Sequence, residues 1–306
     1  MRVLILGYKY RPDVEAAVDQ LRPLIASCAE IVAEDLTGEM DLSSATAQAD
    51  IALVFGGDGS ILRAIQQMGV RQLPIVAVNL GRLGFLANLS VEQLPELLPV
   101  LREHLILQGE NWIENTLESK LLGIQRSRKS HFTISEHLML NCTVTRPKAV
   151  VAGETFFTHI INEVAIQSNS HRIIEVDLFA DGEFVTTYSC DGLILSTPVG
   201  STAHSLSAGG PILRQDLDAL VIVPIAPHTL TYRPVVDSAR RAYQLTVHGD
   251  DCVVVTDGTV LCELTPTDTV SVKASDIRFR MLNPPGYSYY TNLQGKLGWS
   301  GHAKFQ

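Results

Sequence analysis

The common fingerprints of nucleotide-binding loops are missing from this chain. No GxGxxG opens a helix after a strand-like run and no GxxxxGK[ST] occurs, so neither the Rossmann dinucleotide fingerprint nor the P-loop applies. Cysteine patterning is missing too. Cys28, Cys142, Cys190, Cys252 and Cys262 show no CxxC spacing and no neighbouring His pattern. That argues against a zinc ribbon or a disulfide framework and fits buried thiols in a reducing compartment. An excess of basic charge is also lacking: the net charge is −9. Nucleic-acid binding through a general basic field is thereby disfavoured, and an anionic nucleotide would need Mg²⁺, backbone amides or a few Lys and Arg to neutralise it locally. No apolar run approaches membrane-spanning length, and the opening MRVLILGYKYRP breaks off too soon for a signal peptide. A cytoplasmic protein with neither nucleic acid nor membrane as partner is expected.

What is present is an ordinary globular composition, 46% hydrophobic and 19% charged, over 306 residues, enough for two domains. Up to about residue 105, apolar runs of strand length (Val3–Leu6, Ile31–Val32, Ile51–Phe55, Ile75–Val78) alternate with segments of helical period (Val14–Ile25, Ile61–Met68, Leu94–Leu105). This predicts a parallel sheet covered by helices. After about residue 135 the period becomes two, as in Val176-Asp177-Leu178 and Leu245-Thr246-Val247, with Asp181-Gly182 and Asp257-Gly258 as hairpin turns. The expected fold class is α/β plus all-β. Residues 1–135 form the α/β domain, 136–285 an antiparallel β domain, and 286–306 a tail packing back on the first. Residues 105–131, with Trp112 and an RSRKS cluster at 126–130, fit neither pattern and read as a solvated connector.

Three stretches carry chemistry. The strand-like Ile51–Phe55 runs into Gly56-Gly57-Asp58-Gly59-Ser60 and then a helical segment. Strand, Gly-rich turn and helix N-terminus place ligands at the carboxyl edge of a parallel sheet. Asp58 there is a helix cap or turn residue, an acceptor for a proton from an attacking hydroxyl, or a group ordering Mg²⁺ on a nucleotide. Asn162-Glu163 interrupts an apolar run, so the pair either bonds to a neighbouring loop or recognises ribose hydroxyls and a base edge. The third stretch, 191–211, reads DGLILSTPVGSTAHSLSAGGP. Small, hydroxyl-bearing residues between apolar runs suit the close approach of a polar ligand to the backbone.

Taken together, FGGDGSIL (55–62), NLGRLGFLA (79–87), INEVAI (161–166), CDGLILSTPVGSTAHSLSAGGPIL (190–213), PIAPHTLTYRPVV (224–236) and YTNLQGKLGW (290–299) resemble the NAD kinase family. The resemblance spans nearly the whole chain, with 105–131 the main unmatched part. GGDG alone is shared with lipid kinases and 6-phosphofructokinases; the long loop motif and the PHTL segment are what specify the family.

The resemblance implies an α/β domain plus a β-sandwich-like domain, with the dinucleotide bound between them in a homodimer or homotetramer. It implies transfer of the γ-phosphoryl of ATP, or of another donor such as polyphosphate, to the 2′-hydroxyl of the adenosine ribose of NAD, with Mg²⁺. By the same resemblance Asp58 is the general base and Gly57 and Gly59 leave room for phosphate. Asn162 and Glu163 hold the adenine edge and ribose hydroxyls, Asp191 contacts the nicotinamide half, and Thr202, Ala203 and Ser207 line the dinucleotide pocket. His228 lies near the site without a named role. His204 stands where the family usually has tyrosine, and His137 where it more often has arginine. The rival readings are a lipid kinase with a GGDG turn, disfavoured by the GSTAHSLSAGGP loop, and a catalytically weak NAD-binding sensor of the same fold.

Overall fold

The computed structural model describes residues 1–8, 12–81, 84–87, 89–109, 111–114, 117, 132–147, 155–170, 172–249 and 251–299. The RSRKS cluster at 126–130 lies outside them. The chain divides into two compact units, 1–136 with 279–306, and 137–278.

In the first unit, strands β1 (Arg2–Leu6), β2 (Glu30–Asp35), β3 (Ile51–Phe55), β4 (Pro74–Asn79) and β5 (Leu89–Ser90) alternate with α1 (Pro12–Cys28), α2 (Ser43–Gln48), α3 (Asp58–Met68) and α4 (Leu94–Gln108). The order β2-β1-β3-β4 is parallel throughout. All five residues of β3 are buried, as befits a parallel strand covered on both faces. Val14, Val18, Leu21 and Ile25 of α1 and Leu94, Leu98, Leu101 and Leu105 of α4 pack on Ile5, Leu53 and Val76. Trp112 joins this core at 7% exposure, so the connector reading of 105–131 is corrected at this residue. An indole covers far more apolar area than a solvated linker would leave in water.

The second unit begins within β6 (Thr133–Thr145) and continues through β7 (Thr155–Ile160), β8 (Glu163–Ser168), β9 (Ile174–Ala180), β10 (Glu183–Cys190), β11 (Gly192–Ser196), the single-turn α5 (His204–Ser207), β12 (Ala219–Ile225), β13 (Val235–Ser238), β14 (Tyr243–Val247), β15 (Cys252–Thr256), β16 (Thr259–Leu264) and β17 (Thr269–Asn283). One antiparallel sheet runs β13-β12-β11-β8-β15-β16; the other includes β10-β9-β14-β17. Val164, Ile166, Leu193 and Leu195 of the first meet Val176, Leu178, Tyr243 and Leu245 of the second in one apolar cluster, which makes a sandwich. On the outer face of the six-stranded sheet a smaller cluster forms from Ala165, Ile194, Val221, Val223 and Leu213. The segment following β11 therefore lies against that outer face.

Asp181-Gly182 and Asp257-Gly258 take φ of 51°, 84°, 46° and 82°, the left-handed pair that a two-residue hairpin needs. They join β9 to β10 and β15 to β16. The last residues of β17 belong to the first unit and pair there with β4, and the last described helix is α6 (Tyr289–Leu297). Among the described residues no helix is long and apolar enough to cross a membrane.

Candidate active site

In the first unit the turn after β3 is built on glycine. Gly56 has φ +138, and a Cβ there would lie 2.2 Å from Ser60 Oγ. Gly57 is the N-cap of α3 and Asp58 its first residue. Since Gly57 holds the cap position, Asp58 is not the N-cap of α3. Its Oδ2 instead accepts from Phe85 N (2.7 Å), and its Oδ1 from Leu86 N (3.0 Å) and Ala87 N (3.2 Å). A carboxylate offers about four lone-pair directions, so these three bonds leave one for a further donor. Gly59 is exposed, with nothing within 4 Å of a Cβ built on it. The neighbouring loop is tied to α6, where Asn292 Nδ2 donates to Phe85 O (3.2 Å).

In the second unit, Asn162 and Glu163 form a corner rather than interrupting a strand: β7 ends at Ile160 and β8 begins at Glu163. Asp257 Oδ2 accepts from Ile161 N (2.9 Å), and its Oδ1 from Asn162 N (2.7 Å) and Glu163 N (3.1 Å). Thr197 Oγ1 donates to Ile161 O (2.7 Å) and Thr197 N to Asn162 O (2.8 Å). Gly200 is required beside this corner, because a Cβ there would lie 2.1 Å from Asn162 O. Glu163 is 7% exposed and its Oε2 has no hydrogen-bond partner. Burial, reinforced by the charge of Asp257, pushes its carboxyl up to about 7 against the pull of the His204 N–H.

The hydroxyl-rich loop divides in two. Ser196, Thr197 and Ser201 are fully buried, and their hydroxyls hold the loop to itself and to the corner. The hydroxyls of that first half therefore serve the fold and are not offered to a ligand. Thr202, Ala203 and His204 are half-buried and Ser207 is exposed, so the second half remains open to a ligand.

Asp191 and His228 are not brought to this corner. β8 and β11 pair with Ser196 opposite Glu163 and Gly192 opposite Gln167. Asp191 therefore stands at the other end of the sheet, about 16 Å away at the usual strand rise. His228 is at Asp191's end, its backbone N–H donating to Ser189 O (2.9 Å). Both are exposed.

The ATP-NAD kinase N-terminal domain model matches residues 18–106, and the ATP-NAD kinase C-terminal domain model matches residues 161–283. An NAD kinase of Rhodopirellula baltica is 43% identical over 303 residues, covering 98% of this chain and 87% of that protein. The chain belongs to the NAD kinase family. It is accordingly a phosphotransferase. The fold is shared with yeast NADH kinase complexed with NADH (TM-score 0.81, 19% identity, covering 100% of this chain and 90% of that one). It is shared also with an NAD kinase from Archaeoglobus fulgidus in complex with ATP (TM-score 0.67, 24% identity, covering 98% and 100%).

Two contributors have no signal of their own in the sequence. Asp257 is legible there only as a turn residue, and Gly84, where a Cβ would lie 2.0 Å from Asp58 Oδ1, only as part of NLGRLGFLA. Each takes its role from a partner far away in the chain, for which no local pattern exists.

Proposed function

We propose that this kinase transfers the γ-phosphoryl of ATP to the adenosine 2′-hydroxyl of NAD with Asp58 as the group that receives the hydroxyl proton. The 2′-oxygen bonds to phosphorus, the bond from phosphorus to the β–γ bridging oxygen breaks, and ADP leaves with that electron pair. A carboxylate is a weak base for an alcohol, so positioning and charge stabilisation carry most of the barrier. The observation that supports this role is the carboxylate held by three backbone N–H groups with one lone-pair direction left, at the carboxyl end of a parallel strand.

In this reading residues 1–135 carry the transfer chemistry, with Gly57 and Gly59 leaving room for phosphate, and residues 136–285 carry the dinucleotide contacts. Asn162 and Glu163 hold the adenine edge and ribose hydroxyls; Thr202, Ala203, His204 and Ser207 line the pocket. Mg²⁺ arrives on the nucleotide, held by its phosphates. Asp191, five residues of strand away from the corner, acts on the nicotinamide half of the dinucleotide of a neighbouring copy in a homodimer or homotetramer, and His228 stands at the same end of the sheet.

The test is NADP formation from NAD, ATP and Mg²⁺ beside Asp58→Asn, with NAD binding measured in both. A loss of about 10³-fold or more in kcat with NAD affinity retained is expected. Turnover unchanged in the variant would remove Asp58 from the chemistry.

A further inference from the structure

The corner between β7 and β8 is held more completely than joining two strands requires. All six backbone polar groups of Ile161, Asn162 and Glu163 are bonded. Asp257 accepts from the three N–H groups and donates its own N–H to Glu163 O (3.0 Å), while Thr197 takes the other two carbonyls. The side chains show the reverse. Glu163 Oε2 is buried without a partner, and the Asn162 amide makes no hydrogen bond among the described residues. Buried polar groups are normally paired. A rigid backbone that leaves polar side-chain atoms unpaired is what preorganised recognition needs.

We propose that Asp257 is a positioning residue for the dinucleotide site: its carboxylate sets the direction of Asn162 and Glu163 and acts on the reaction only through them. The proposal rests on the reading of those two residues as NAD contacts. Asp257 supplies four of the six bonds to the corner, and three of them are charge-assisted. It does so from the tip of the β15–β16 hairpin, at φ +46. Its negative charge also faces the Glu163 carboxyl, where it acts with burial and against the His204 N–H.

The experiment compares full-length Asp257→Ala, Asp257→Asn, Glu163→Gln and Asn162→Ala. NAD affinity is measured by calorimetry without ATP, alongside KM for ATP, the pH dependence of NAD binding, and Tm. Asp257→Ala should weaken NAD binding by about tenfold or more, roughly 1.4 kcal/mol, with KM for ATP unchanged. Asp257→Asn should recover most of that affinity, since one side-chain oxygen can still accept the two N–H bonds now made by Oδ1. Loss of the charge should move the limb of the binding profile that reflects Glu163 to lower pH. Wild-type NAD affinity in a folded Asp257→Ala overturns the proposal. So does an Asp257→Asn variant no better than Ala with an unmoved pH limb, which would make the role merely structural. Should Asp257→Ala fail to fold, the affinity and pH limb of Asp257→Asn decide. Unchanged affinity in both Glu163→Gln and Asn162→Ala would instead sink the contact reading itself.

Discussion

The Asp58 carboxylate occupies the space that a side chain on residue 84 would need. A Cβ on Gly84 would lie 2.0 Å from Asp58 Oδ1. Close approach of the 84–87 loop to the carboxylate is what lets three successive N–H groups reach it. Gly84→Ala should therefore displace either the loop or the carboxylate, and a displacement near 1 Å costs about 10²-fold in rate. Steady-state kinetics with kcat near wild type would show that Asp58 tolerates the shift.

Gly59 makes the opposite prediction. Nothing borders its missing Cβ and its φ is not left-handed, so the fold does not demand glycine in this first turn of α3. Gly59→Ala should raise stability by about 0.5 kcal/mol, because alanine loses less backbone entropy in a helix. If the space is kept for phosphate, kcat/KM for ATP should still fall about tenfold or more. A stabilised variant with full activity would remove the phosphate role from Gly59.

Glu163 links stability to pH. Its carboxyl stands at about 7 in the folded chain against 4.5 for the free group. The folded state thus holds the proton more tightly, and this contribution to stability is present below about pH 4.5 and is lost as pH rises towards 7. Glu163→Gln abolishes the titration. Thermal melts should show the Tm of the variant gaining on wild type between about pH 5 and pH 8, by the order of a few degrees. A constant gap would mean that Glu163 is ionised throughout.

His204 offers a side-chain change that spares the corner, because its link to Glu163 is through the backbone N–H. His204→Tyr should lower KM for NAD modestly, by about two- to fivefold, through a larger aromatic wall. An unchanged or higher KM counts against that wall.

The division between what the sequence determined and what tertiary structure decided follows the range of the interactions. Burial of β3 on both faces, the 3.6-residue period of α1, α3 and α4, and the left-handed turns at Asp181-Gly182 and Asp257-Gly258 are local and can be read from residues a few places apart. So can the family motifs. Short elements such as α2 and β5 escape because they carry too few residues to show a period. Trp112 reads as part of a connector because only the assembled core reveals what covers an isolated indole. The hydrogen-bond partners of Asp58 and Asp257 cannot be read at all. Each carboxylate is defined by three N–H groups on a segment remote in the chain, and a hydrogen bond leaves no mark in the sequence around either partner. Likewise the separation of Asp191 from Asn162 is a matter of strand register, which the antiparallel pairing of β8 with β11 alone fixes.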